Sequence, residues 1–225
     1  MSELVHPRGS RPLRISAYAV VAVAIAFELA VVWLMLNPRV PADYRAYYID
    51  RTTTCLNQPV TGAYELGTIV SFRSEGRQSA MPLRVCGWEG PAGDGTHAVG
   101  QSSRLRFALP ANYAGALQLT LELVPIERDE QPSQRVVIEA NDTEIDTVTA
   151  IGGEPLTVDL TIPAELVARH PQALELSLHF PDATLMSPSD SDTRRRSIKL
   201  LSARLSQPEG ALYSPGPGAS RTRRE

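Results

Sequence analysis

Two hydrophobic patterns divide the chain. Residues 15–36, ISAYAVVAVAIAFELAVVWLML, form an apolar run interrupted by one charge, Glu28. At about 1.5 Å rise per residue, such a run spans the roughly 30 Å hydrocarbon core of a bilayer, which predicts one transmembrane helix. From residue 104 the period becomes two, the mark of half-buried strands. Leu117, Leu119, Leu121 and Leu123 alternate with Gln118, Thr120 and Glu122. The alternation returns in Leu156, Val158, Leu160 and Ile162, and again in Leu174, Leu176, Leu178 and Phe180. Residues 104–109, 134–140, 144–150 and 197–205 add candidates, with weaker ones at 66–72 and 81–86. Pro110 to Asn112, Glu130 to Pro132, Asn141-Asp142 and Gly152-Gly153 read as the turns between them. Asn141-Asp142 suits a two-residue hairpin, and although Thr143 completes a glycosylation sequon, the segment is read as a turn. Only residues 163–169, PAELVAR, suit a short helix, with Pro in its first turn.

Short strands without long alternating helices predict an all-β antiparallel sandwich rather than a βαβ fold. The expected organisation is an N-terminal arm (1–14), a transmembrane helix (15–36), a connector (37–54), the sandwich (55–206) and a disordered tail (207–225) rich in Pro, Gly, Ser and Arg.

Orientation follows from two signals. Arg8, Arg11 and Arg14 precede the apolar run, as in a segment with a cytoplasmic N-terminus, but Arg39, Arg45 and Arg51 follow it and weaken the contrast. Cys55 and Cys86 are the only cysteines and lack metal-site spacing, so they fit one disulfide in an oxidising compartment, with two buried thiols as the alternative. The expectation is a single-pass membrane protein with a cytoplasmic N-terminus and its C-terminal domain outside the cytoplasm. Val40-Pro41-Ala42 would suit a signal-peptide cleavage site. The apolar run exceeds the roughly 7–15 residues of a signal h-region, which favours an uncleaved anchor.

Glu28 is costly in lipid and calls for a partner. Ala22, Ala26 and Ala30 form a small-residue stripe where another helix could approach closely. Together they point to contact with another integral membrane protein. The plainer alternative is a Glu28 protonated in lipid within an alanine-rich segment.

Charge and motifs narrow the chemistry. With 22 basic and 25 acidic side chains the net charge is −3, which argues against nucleic acid as a partner. His6, His97, His170 and His179 show no paired metal spacing, and no serine occupies a GxSxG elbow. The AGDGTH turn containing Gly93 and Gly95 lacks the following lysine of a phosphate-binding loop, and residues 189–192, SDSD, lack the Gly and distal Glu of a calcium loop. No cofactor and no metal are expected, and a hydrolase or transferase using Asp190 and Asp192 is a minor alternative.

Two segments carry the candidate site. In residues 86–91, CGWEGP, Trp88 could stack on a sugar and Glu89 accept its hydroxyls, or Trp88 could plug the end of the core. In residues 180–196, FPDATLMSPSDSDTRRR, Asp182, Asp190 or Asp192 could pair with Arg194, Arg195 or Arg196 to close the loop, or an open arginine could take a phosphate or carboxylate.

In order and spacing, Gly87-Trp88, Pro91, Leu109-Pro110, Asn141, Pro181-Asp182-Ala183, Ser187-Pro188 and Ser191-Asp192-Thr193-Arg194 resemble the β-sandwich at the C-terminus of some bacterial membrane-bound glycosyltransferases and phosphoglycerol transferases. The resemblance covers residues 86–206. It implies a jelly-roll module of the carbohydrate-binding kind working beside envelope glycan synthesis. This chain departs from that family in having no transferase domain and an anchor of its own. The reading is thus a non-catalytic, membrane-anchored accessory protein contacting an envelope polysaccharide or a glycosyltransferase. Trp88, Glu89, Asp182, Asp192 and Arg194 are its glycan-binding or loop-closing candidates. The alternative is a structural subunit of an inner-membrane complex, recruited through its helix.

Overall fold

The computed structural model describes residues 11–37, 39–56, 60–111, 113–126, 132–186 and 194–208. The chain divides into two units at Ala42/Asp43. In the first, helix α1 (Arg11–Leu36) contains the apolar run, and its stretch Ile15–Leu36 is long and apolar enough to cross a membrane. Its side chains from Ile15 onward are almost all exposed, as an apolar helix needing another apolar surface would be.

The second unit is a sandwich of two antiparallel sheets. One runs β1 (Ile69–Ser71), β10 (Ile198–Ser206), β5 (Leu117–Pro125), β8 (Leu156–Ile162), with β3 (Thr96–His97) also pairing with β10. The other runs β2 (Arg84–Cys86), β4 (Ser102–Ala108), β9 (Ala173–His179), β6 (Ser133–Ala140), β7 (Thr143–Ile151). The alternation explains the layers. Leu117, Leu119, Leu121 and Leu123 of β5 are fully buried against Leu105, Phe107, Ile138, Leu174, Leu176 and Leu178 of the opposite sheet. The intervening Gln118, Thr120 and Glu122 remain partly exposed.

The nine segments read as strands are all present, and a tenth, β3, has only two residues, too few to show a period. The weak candidate at 81–86 is part strand: Met81–Leu83 form a 3₁₀ turn, consistent with Pro82, and only Arg84–Cys86 extend. The helix expected at 163–169 is confined to Ala164–Val167. Asn141 and Asp142 both take left-handed backbone (φ 47° and 60°), the pattern of a tight two-residue hairpin joining β6 to β7. The Asn141 side chain donates to Leu166 O (2.8 Å) and accepts from Glu175 N (3.0 Å) while buried, so its amide is committed to the fold.

From Asp43 onward, the segment read as a connector belongs to the sandwich unit. Ala42–Tyr44 and the π-helical turn Arg45–Ile49 carry Tyr47 into a buried position. The N-terminal arm up to residue 10 and the tail from residue 209 lie outside the described residues.

Candidate functional site

Cys55 and Cys86 are disulfide-bonded across 31 positions, and the bond fixes the segment that enters the candidate site. Gly87 follows with φ +78°, and a Cβ there would lie 2.2 Å from Ser102 O, so only glycine lets β2 pass so close to β4. Its carbonyl accepts from Val99 N (2.7 Å) and Ser103 Oγ (2.5 Å), which turns the chain sharply into Trp88.

Trp88 is 5% exposed, and its indole N–H donates to Arg104 O at 2.9 Å. The ring packs 6.1 Å from Phe72. The stacking platform envisaged for Trp88 is therefore not offered to solvent, because burying the indole in the core uses both its face and its donor.

Glu89 meets the arginines that follow the 180–196 loop's acidic stretch. Its Oε1 accepts from Arg196 Nη2 and lies 4.0 Å from Arg194 Nη2. Arg196 is 5% exposed, and its backbone pairs with Thr184 (2.7 and 2.9 Å), so the carboxylate meets a guanidinium fixed at the sandwich end. Arg194 Nη1 donates to Tyr47 O (3.2 Å), and its guanidinium carbon sits 5.3 Å from the Tyr47 ring centroid. Arg195 Nη1 donates to Ala183 O at 3.0 Å. The open arginine considered for this loop is thus absent at these three positions.

Asp182 lies elsewhere. It binds Arg135 at the start of β6 through Arg135 Nε (2.9 Å), Nη2 (2.8 Å) and backbone N (3.0 Å). The Arg135 guanidinium holds its carboxyl below the usual carboxylate range. For Asp182 the pairing expected inside the loop is corrected: it is taken by Arg135 of a neighbouring strand, while Glu89 meets Arg194 and Arg196. Asp190, Asp192, Ser187-Pro188, Ser191 and Thr193 lie outside the described residues. Ala22, Ala26, Glu28 and Ala30 are exposed along α1.

The sequence reading missed the other half of this end of the sandwich. Tyr47 donates its phenol to Trp88 O and is 6% exposed, and burial pushes the phenol's pKa up. Tyr48 packs between Tyr44, tilted with centroids 4.6 Å apart, and Tyr47, edge-on at 4.8 Å. Beside them a recess of about 60 Å³ is lined by Tyr47, Tyr48, Arg77, Arg84, Trp88 and Glu89. Arg84 Nη1 donates to Glu89 O, while its Nε is buried with no acceptor. Burial lowers the Arg84 pKa, and the nearby Arg77 charge acts in the same direction. The only sequence signal was the tyrosine pair in RAYYID, set in a segment taken for a linker.

His97 lies behind Glu89 on β3. Its carbonyl accepts from Glu89 N (3.0 Å), its Nδ1 is buried without a partner, and burial lowers its pKa. No group of three or more His, Cys, Asp or Glu able to hold a metal ion occurs among the described residues.

No protein-family model and no curated protein sequence matches the chain. Solved structures similar to it include carbohydrate-binding β-sandwiches. A family 36 carbohydrate-binding module in complex with calcium and xylotriose aligns at TM-score 0.37 and 12% identity, covering 62% of this chain and 99% of that one. A family 6 module aligns at 0.37 and 8%, covering 67% and 99%. A family 36 domain of a xylanase from the hindgut metagenome of Trinervitermes trinervoides aligns at 0.35 and 14%, covering 60% and 94%. The fold assignment itself rests on the strand pairings above.

Proposed function

We propose that this protein is a non-catalytic accessory module, anchored in a bacterial inner membrane by α1, whose sandwich contacts an envelope glycan or the glycosyltransferase assembling it from the periplasmic side. The observation that carries the reading is the recess at the disulfide end. It offers tyrosine rings and arginine donors, while Glu89, the one carboxylate lining it among the described residues, is held by Arg196. Such a set holds a ligand; a glycosyl-transfer site would need a carboxylate ready to move a proton or attack. The Cys55–Cys86 bond supports an oxidising compartment, and the sequence resemblance over residues 86–206 supports the link to glycan assembly.

Pull-down of the detergent-extracted full-length protein, analysed for both bound glycan and membrane proteins, tests this. Recovery of glycan or of a stoichiometric glycosyltransferase is expected. Recovery of neither would end the proposal.

The second reading, a structural subunit recruited through its helix, draws on Glu28 and the exposed Ala22, Ala26 and Ala30. Under it, Glu28→Leu releases a co-purifying membrane protein while substitutions in the recess leave that protein bound.

A further inference from the structure

We propose that the recess beside Arg84 is an oxyanion subsite, receiving the carboxylate or phosphate of an acidic glycan unit between Arg84 and Arg77, next to the Tyr48 ring. The inference rests on the reading of this end of the sandwich as the glycan contact, and it names the chemistry that the contact selects.

Three observations converge on it. Neither Arg84 nor Arg77 meets a carboxylate among the described residues, although Arg45, Arg106, Arg135, Arg194 and Arg196 each have one within 4.0 Å. Glu89, the carboxylate lining the recess, is engaged by Arg196, and toward Arg84 it presents its backbone carbonyl. The half-buried Arg84 and the exposed Arg77 both line the recess, so an anion placed between them would meet two guanidinium groups.

The Arg84 Nε is buried without an acceptor. A buried unsatisfied donor is expensive to leave, and the guanidinium fork matches the paired oxygens of a carboxylate or phosphate. An acceptor entering beside Arg84 would satisfy it.

Size and surroundings limit what enters. A volume of about 60 Å³ exceeds the roughly 10–15 Å³ that one water needs, which leaves room for a small charged group. Tyr48 is 51% exposed, so its ring is available to the apolar side of the sugar carrying that group.

Calorimetric titration of the full-length protein in detergent tests the proposal with three probes: trigalacturonate, its methyl ester, and inorganic phosphate. Trigalacturonate is expected to bind at least about tenfold more tightly than the ester, and Arg77→Gln to weaken it by about tenfold. Arg84→Gln should abolish binding. Because Arg84 also supports Glu89 O, the exposed Arg77 variant carries the test if Arg84→Gln fails to fold. Equal affinity for acid and ester with no effect of Arg77→Gln would overturn the subsite and leave the glycan reading standing. Phosphate binding that Arg77→Gln removes, without binding of either saccharide, would support the oxyanion site and overturn its glycan assignment. Absence of binding by all three probes would overturn the subsite.

Discussion

The phenol of Tyr47 donates a hydrogen bond to the backbone carbonyl of Trp88, joining the turn that follows Ala42 to the loop that follows the disulfide. Both residues are buried, so the bond is made away from water and its carbonyl has little access to a replacement donor. The segment that composition marks as a linker is thereby part of the sandwich end.

Tyr47→Phe keeps the ring under Arg194 and removes only the donor. It should cost about 1–2 kcal/mol, the loss expected for a buried carbonyl left unsatisfied. In a thermal melt of the full-length protein that corresponds to a fall of several degrees. Tyr47→Leu also removes the aromatic face from the Arg194 guanidinium and should cost more. Equal stability of wild type and Tyr47→Phe would show that the bond contributes nothing.

Closing a loop of 31 positions removes entropy from the unfolded chain, and the Cys55–Cys86 bond should stabilise the sandwich by about 3–4 kcal/mol on that account. The Cys55→Ser/Cys86→Ser variant should unfold at correspondingly lower denaturant. Full-length protein purified without reductant should resist alkylation at both positions until reduced and unfolded. Two reactive thiols in that preparation would contradict the proposed periplasmic placement.

Glu89 and Arg196 form the charged lock of the loop, with Arg196 almost wholly buried. Glu89→Gln replaces a charged acceptor of Arg196 by a neutral one, which should destabilise the sandwich by about 1.5–3 kcal/mol, the range for a hydrogen bond to a charged group. Glu89→Gln with unchanged stability in a denaturant titration would show that the ion pair contributes nothing to the sandwich end.

What was legible in the sequence follows from where the periodicity is strong. β5, with four leucines at alternate positions, declares its buried face because only one register places all four inside. The Asn141-Asp142 hairpin declares itself because few residue pairs tolerate two left-handed positions in succession. Trp88 and Glu89 drew attention as unusual residues, yet their roles depend on groups far away in the chain. Arg104 O, His97 O and Arg196 meet them only once both sheets are assembled. The same holds for Asp182, whose partner Arg135 is 47 positions away while three arginines lie much nearer in sequence. Arg84 was invisible because an arginine in a short strand looks like a solvated one until its Nε is seen to be buried without an acceptor.

Burial keeps His97 below its ordinary pKa of 6.5. The unfolded chain therefore binds a proton near pH 6.5 that the folded chain refuses, so stability is full above that pH and declines as pH falls below it. His97→Gln should flatten the stability profile between about pH 7 and pH 5. An unchanged profile would mean that His97 is protonated within the fold.

Asp182 gives a second, more acidic window. Its folded pKa is depressed, first by the hydrogen bond from the Arg135 side chain, whereas an unfolded aspartate titrates near 3.9. Its contribution is thus present above about pH 4 and lost as pH falls through the folded value. Carbon-detected NMR of the Asp182 carboxyl should show the depressed midpoint, and Arg135→Gln should return it toward 3.9. Asp182→Asn keeps the size of the side chain but removes the charge, so its loss of stability with acid should be smaller across that window. Arg135 is largely solvent-exposed and the pair is screened, so added salt should move the Asp182 midpoint upward. A midpoint insensitive to both Arg135→Gln and salt would show that the backbone donor alone sets it.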